Sequence, residues 1–260
     1  MKKILLFVLP FLAMVAVSCE KDGKELSGND IIEFKDPNFL KALLSVHEIY
    51  LYDAETDEEI PYMMDVDLNK DGKISVNEAQ KVKGLNLYDY EAAEQLNIKE
   101  MPEIKYFTAL THLVYAYDEE TPAQLTSLDL SKNMALEYLV CDGTQLTSLN
   151  LSKNTVLTYL SCNYSQLTSL DLSNNTALTY LYCEDNQLTS LDLNKHTALT
   201  HLACANNQLI SLDLSKNAAL TWLHCEGNQL TKIILPANHF LLGHIIQDII
   251  NEYGNIIEYR

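Results

Sequence analysis

Oxygen-bearing residues fall at fixed offsets within one stretch of 12 residues: Asp67, Asn69, Asp71, Ser75 and Glu78, with the backbone carbonyl of Lys73 between them. Carboxylates, an amide, a hydroxyl and a carbonyl in this order can wrap one hard cation, and Ca2+ takes about six to eight such oxygens. Gly72 permits the sharp turn, Ile74 is expected to face inward, and Glu78 supplies two oxygens from the start of an exiting helix expected over 76–83. An Asx-rich turn is the alternative; the glycine and the distal glutamate occurring together favour one structural Ca2+ site. Catalytic chemistry is harder to find. His201 and His224 could approach Glu184 and Glu226, but the chain has no Gly-x-Ser-x-Gly elbow, His-Glu-x-x-His helix or phosphate loop. An exposed, shallow sheet excludes little water, so no enzymatic activity and no catalytic residue is expected.

The elements that must position these groups are announced by Cys141, Cys162, Cys183, Cys204 and Cys225, each 21 residues after the last. A fixed period in this range means stacked units, none of which can bury its apolar face alone. On a short strand alternate side chains share a face, so Leu181 and Cys183 turn inward while Tyr180, Tyr182 and Glu184 turn outward. Stacking at about 4.8 Å lays each position on its counterpart in the next unit. The cysteines then read as buried, unpaired thiols: parallel neighbours orient their Cβ atoms poorly for a disulfide, and zinc-type pair spacing is missing.

The same register defines an outward aromatic column at position three of successive units: His112, Tyr138, Tyr159, Tyr180, His201 and Trp222. Tyr182 and His224 stand beside it at position five, and Tyr117 and Tyr164 at position eight. Aromatic neighbours stabilise a sheet, and tyrosine and tryptophan also supply rigid, amphipathic contact area. The column is therefore expected to be a ligand face, for a protein or peptide ahead of a glycan. Asp129, Asn150, Asp171, Asp192 and Asp213, followed by Lys132, Lys153, Asn174, Lys195 and Lys216, read as a solvated face. The second half of each unit, such as Leu188 to Leu193, looks strand-like.

Leu178-x-x-Leu181-x-Cys183-x-x-Asn186-x-Leu188, repeated from Leu136, Leu157, Leu199 and Leu220, resembles the leucine-rich repeat. That resemblance implies a turn-satisfying asparagine ladder at Asn186, Asn207 and Asn228, with Thr144 and Ser165 in its place in the first full units. A unit of 21 residues leaves no room for a full helix, so the expected fold is a mostly β repeat solenoid. A small helical cap resembling an EF-hand precedes it, and a capping helix over 240–253 follows. Asp67 to Glu78 matches the EF-hand loop at each ligand position, implying metal ligands Asp67, Asn69, Asp71, Lys73, Ser75 and Glu78. Its affinity would be of the weak extracellular type, about 10⁻⁴–10⁻³ M. A regular entering helix is not expected before the loop, where Pro61 stands; Asp36 and Pro37 instead begin a helix over 37–47.

Met1-Lys2-Lys3, an apolar run and Ala16-Val17-Ser18-Cys19 resemble a bacterial lipoprotein signal with its lipobox. This implies residues 1–18 as signal peptide, lipidated Cys19 and a tether over 19–30, a cap over 31–103 containing loop 67–78, repeats over 104–235 and a C-terminal cap over 236–260. The whole arrangement resembles bacterial surface leucine-rich repeat lipoproteins with a single calcium loop. Their implied role is protein binding or adhesion, with a glycan-capturing or purely structural envelope component as the alternative. Acidic Glu20 to Glu25 resembles export tags for the outer membrane's outer face. The chain carries 18 basic and 36 acidic side chains, and so acidic a surface excludes nucleic acid as partner. The expected partners are a protein ligand, Ca2+, and a membrane reached through acyl chains on Cys19.

Overall fold

The computed structural model describes residues 20–21, 24–26, 28–45, 50–52, 59–61, 66–87, 97–116, 124–237, 243–254 and 256–260. The signal segment, Cys19 and Tyr117 lie outside the described residues. No helix among the described residues is long and apolar enough to cross a membrane.

Two antiparallel strand pairs and two helices make up the N-terminal part. Strands β1 (Glu20–Lys21) and β2 (Lys24–Glu25) pair, then helix α1 runs over Pro37–Ser45. Asp36 starts α1 as expected: its Oδ1 accepts from Asn38 N at 2.9 Å, and Pro37 occupies the first turn where its missing N–H costs nothing. The other Asp36 oxygen accepts from Lys99 N at 2.7 Å, tying the helix start to the entry of the repeats. Strands β3 (Tyr50–Tyr52) and β4 (Glu59–Pro61) form the second pair. The cation loop therefore follows a strand pair, in keeping with Pro61 opposing a regular entering helix. Helix α2 covers only Val76–Ala79. The exit helix expected to reach residue 83 stops early because Lys83 is claimed by the sheet: its carbonyl accepts from Thr111 N and His112 N.

The repeats build one parallel sheet of seven strands. They are β5 (Gly84–Asn86), β6 (His112–Val114), β7 (Tyr138–Val140), β8 (Tyr159–Ser161), β9 (Tyr180–Tyr182), β10 (His201–Ala203) and, last in the sheet, Trp222–His224. Between β10 and that last strand the chain makes β11 (Ser211–Asp213), so the last strand is β12; β13 (Lys232–Leu235), helix α3 (Gly243–Tyr253) and β14 (Ile257–Tyr259) complete the chain. The sheet begins one strand before the first leucine repeat, inside the segment read as cap. Strand β14 had no signature in the repeat: it adds to β13 in a second parallel sheet of order β11-β13-β14. Among the described repeats, only the second half of the unit containing β11 pairs as a strand. In the others an aspartate or asparagine bends the backbone at once, as Asp171 Oδ1 accepting from Ser173 N illustrates, and the segment stays extended without pairing.

Strand register follows the 21-residue period without slippage, His112 on Tyr138, Tyr138 on Tyr159, and so to Trp222. The core is one stack of leucines and the five cysteines, all buried. Tyr115 replaces cysteine in the first unit; its ring is buried and its hydroxyl donates to Ile98 O at 2.9 Å, filling the junction with the cap.

Three polar ladders hold the turns. At Asn186, Nδ2 donates to Cys162 O (2.9 Å) and Cys183 O (3.3 Å) while Oδ1 accepts from Leu167 N (3.0 Å); Asn207 and Asn228 repeat the pattern. Thr144 and Ser165, at that position in the earlier units, bond each other through their hydroxyls at 2.8 Å. A second ladder was not anticipated: Asn133, Asn154, Asn175, His196 and Asn217 are buried, and each asparagine Nδ2 donates to two carbonyls of the preceding unit or cap. Its signal was visible as Asn at 21-residue spacing. A third runs through hydroxyls, with Thr158, Thr179, Thr200 and Thr221 each donating to the position-two carbonyl one unit before.

Candidate binding face and cation loop

The aromatic column stands on strands β6 to β12. Neighbouring ring centroids are 5.5 Å apart for His112–Tyr138, 4.1 Å for Tyr138–Tyr159, 5.7 Å for Tyr159–Tyr180, 4.7 Å for Tyr180–His201 and 6.1 Å for His201–Trp222. Parallel strands fix this spacing, and stacked or tilted rings each add about 0.5–1.5 kcal/mol beyond their burial. The rings are partly buried against one another, with Trp222 the most open at 36% exposure. Burial, with Tyr138 close by, pushes the Tyr159 hydroxyl far above its ordinary pKa, so it stays a neutral donor. Tyr182 bridges the column: its ring lies 5.6 Å from Tyr159 and 6.1 Å from Trp222. The Tyr182–Trp222 contact passes over β10, whose Ala203 is small and fully covered.

The next outward column is polar, and its members cap each other's backbone. Asp142 Oδ1 accepts from Asn163 N at 2.7 Å, and Asn163 Oδ1 accepts from Glu184 N at 2.7 Å. Burial raises the Asp142 carboxyl to about 6 despite hydrogen bonds from Ser161 and Asn163 that favour its charge. At the following unit the column holds Ala205, and Glu184 reaches across it to His224. His224 then lies between two carboxylates, Glu184 Oε1 at Nδ1 and Glu226 Oε1 at Nε2. The structure brings His224 to both acids; His201 instead meets Thr200 Oγ1 through Nδ1 at 3.0 Å.

Position eight has a property that spacing alone did not reveal. Gly143, Tyr164, Asp185, Asn206 and Gly227 all have positive φ, between 51° and 67°. Their amides bond the next coil, as Tyr164 N does to Glu184 O at 3.0 Å, and the left-handed corner aims them there. Glycine, asparagine and aspartate tolerate that geometry; tyrosine does not. A Cβ on Gly227 would also lie 2.1 Å from Asn206 Oδ1. Tyr164, read as a face residue, is thus exposed but strained.

The thiols take no part in the face. All five repeat cysteines are free and buried. Burial pushes Cys183 and Cys225 up to about 12 and holds the others well above the ordinary thiol value.

Loop 67–78 is wrapped on itself by its oxygens. Asp67 Oδ2 accepts from Gly72 N at 2.7 Å and its Oδ1 from Asp71 N at 3.2 Å; Asp71 Oδ1 accepts from Lys73 N at 2.9 Å. Lys70 and Gly72 supply the left-handed turns, φ 59° and 76°. Glu78 closes the loop: Oε1 accepts from Asn69 N (3.3 Å), and Oε2 from Ser75 N (2.8 Å) and Ser75 Oγ (2.7 Å). Burial works to raise the Glu78 pKa, but the Ser75 and Asn69 bonds outweigh it and leave it below the usual value, hence ionised. Ile74 is fully buried, and Ile32 N donates to its carbonyl at 2.8 Å. The strand partner of the loop is therefore the Asp30–Ile32 segment, with Val76 N bonding Asp30 O at 3.0 Å. The donor set is all oxygen and fits a hard cation. Among the described residues no three His, Cys, Asp or Glu side chains are already gathered as a metal cluster; the loop carboxylates are held by backbone N–H groups.

No protein-family model matches the chain, and none of the curated proteins matches it. Solved structures do. Internalin C2 from Listeria monocytogenes is similar at 17% identity over 87% of this chain and 94% of that one, with TM-score 0.56. A leucine-rich repeat protein of Leptospira interrogans is similar at 20% identity over 72% and 51%, TM-score 0.52. The functional domain of InlJ from L. monocytogenes, which includes a cysteine ladder, matches at 28% identity over 65% and 46%, TM-score 0.39. The chain spans about half the length of the last two. These neighbours define the class of fold: a leucine-rich repeat solenoid, mostly β, with few helices.

Proposed function

We propose that this chain is an exported scaffold that binds a protein or peptide through its aromatic face, lipid-anchored at Cys19 and stabilised by Ca2+ in loop 67–78. One observation carries the binding reading. Six aromatic side chains, His112, Tyr138, Tyr159, Tyr180, His201 and Trp222, stand in register on adjacent parallel strands and keep one side open. Such pre-organised rings lose little entropy on contact, which is why tyrosine and tryptophan anchor interfaces. The structural neighbours named internalins lend support to a binding or adhesion scaffold. Binding is favoured over hydrolysis because His224 faces carboxylates, and the thiol next to it, Cys225, is buried and protonated.

The test compares partners retained by the chain from Glu20 onward with those retained by its Tyr138/Tyr159/Tyr180/Trp222→Ala variant, after circular dichroism shows both folded. Loss of specific partners from the variant is expected; equal retention would remove the aromatic-face reading. For the cation, millimolar Ca2+ should raise Tm and EDTA should reverse the gain, with Glu78→Gln insensitive to both. A Ca2+-independent Tm in the parent chain would end the calcium reading. Anchoring predicts that Cys19→Ala releases the protein from the membrane fraction; continued retention there would refute it.

A further inference from the structure

We propose that the cleft at the C-terminal end of the aromatic face is a subsite for a lysine or arginine side chain of the bound protein, an inference that rests on the binding-face reading. The cleft, about 370 Å³, lies between β12 and α3 and is walled by Trp222, Glu226, Asp248, Glu252 and Tyr253, over a floor that includes buried Ile249. Its size is that of a small-ligand site. The walls are built, not incidental. Glu252 Oε1 accepts from Gly227 N at 2.7 Å, and the Tyr253 hydroxyl accepts from Asn228 N at 2.9 Å while donating to Cys225 O at 3.0 Å. These bonds pin α3 to the last coil and hold the cleft open.

Charge selects the occupant. Three lining carboxylates, Glu226, Asp248 and Glu252, face no lining lysine or arginine. His224 is flanked by Glu184 and Glu226, so even a protonated imidazole offsets one charge and leaves the group acidic. No basic side chain among the described residues pairs with Asp248. An anion would be repelled, and a neutral group would leave the repulsion uncompensated. A cation also meets the indole of Trp222, the aromatic ring that holds cations best. A metal ion is a poorer fit, since the described residues hold no gathered cluster of three ligating side chains. The occupant is thus a compact cation on a flexible apolar stem, whose methylenes cover Ile249 while its head meets the carboxylates.

Trp222 is the only tryptophan in the chain, so its fluorescence reports on the cleft. The chain from Glu20 would be titrated with acetyl-hexalysine amide and, separately, with acetyl-hexaglutamine amide. A saturable change in Trp222 emission is expected for the lysine peptide, at least tenfold tighter than for the glutamine peptide. Glu226→Gln/Asp248→Asn should weaken it about tenfold. Asp171→Asn/Asp192→Asn, which removes the same charge from turns away from the cleft, should leave it unchanged. Equal weakening in both double variants, equal binding of the two peptides, or no saturable change would overturn the subsite. That failure is separable from failure of the face: partners lost from the Tyr138/Tyr159/Tyr180/Trp222→Ala variant would still support the face, and partners retained by it would sink the face whatever hexalysine does.

Discussion

Replacing Asn175 by alanine tests the unanticipated ladder. Its side chain is fully buried, and Nδ2 donates to Leu151 O at 3.0 Å and Asn154 O at 2.9 Å. Each bond contributes about 1 kcal/mol net, and a buried carbonyl left wholly unpaired costs about 1–3 kcal/mol. The carbonyls are not left wholly unpaired. Leu151 O still accepts from Asn154 N (3.0 Å) and Asn154 O from Leu157 N (3.2 Å), so the penalty stays near the low end. The sum is about 2–3 kcal/mol. At about 2–4 °C per kcal/mol for a chain of this size, Tm should fall by roughly 4–12 °C. Thermal and urea melts followed by circular dichroism would read it, beside Asn174→Ala, whose exposed side chain should change stability by less than about 0.5 kcal/mol. Asn154→Ala and Asn217→Ala, with the same two-bond geometry, should behave alike. If Asn175→Ala melts with the Asn174→Ala control, the ladder does not hold the coils together.

Three further outcomes follow from particular positions. The five repeat thiols should resist iodoacetamide in the folded chain from Glu20 and all label in denaturant without reductant; mass spectrometry finding fewer than five labels after unfolding would reveal a disulfide. Tyr164→Asn should stabilise by about 1 kcal/mol, because it relieves a left-handed tyrosine; an unchanged or lower Tm would show that its ring packing outweighs the strain. His196→Asn should stabilise too, by about 1 kcal/mol, by restoring the second ladder bond that the single imidazole contact to Leu172 O lacks. Burial holds the His196 pKa below its ordinary 6.5, so the unfolded chain takes up the proton first. The parent chain should therefore lose stability relative to His196→Asn as pH falls from about 7 through 6.5 and below. Parallel stability curves for the two proteins would contradict that.

The 21-residue period determined the solenoid, its strand register and its inward and outward faces by sequence alone. Stacked short strands of period two have only one way to bury Leu181 with Cys183, and the same parity exposes Tyr180 with Tyr182. Loop 67–78 was legible too, since its oxygens belong to one local segment. What needed the tertiary structure came from groups far apart in sequence or from backbone geometry. The pairing of β14 with β13 joins an irregular terminus to the repeat, and periodicity does not extend to it. Left-handed position eight was masked by Tyr164, a residue whose type argues for an ordinary strand-side position. Asp30–Ile32 became the partner of Ile74 only once the cap folded onto the loop. The acidic cleft likewise exists because Glu252 and Tyr253 of α3 close over the last coil, setting Asp248 beside Glu226 and Trp222. Spacing along the chain fixes what repeats; only the folded contacts decide what the ends of the repeat enclose.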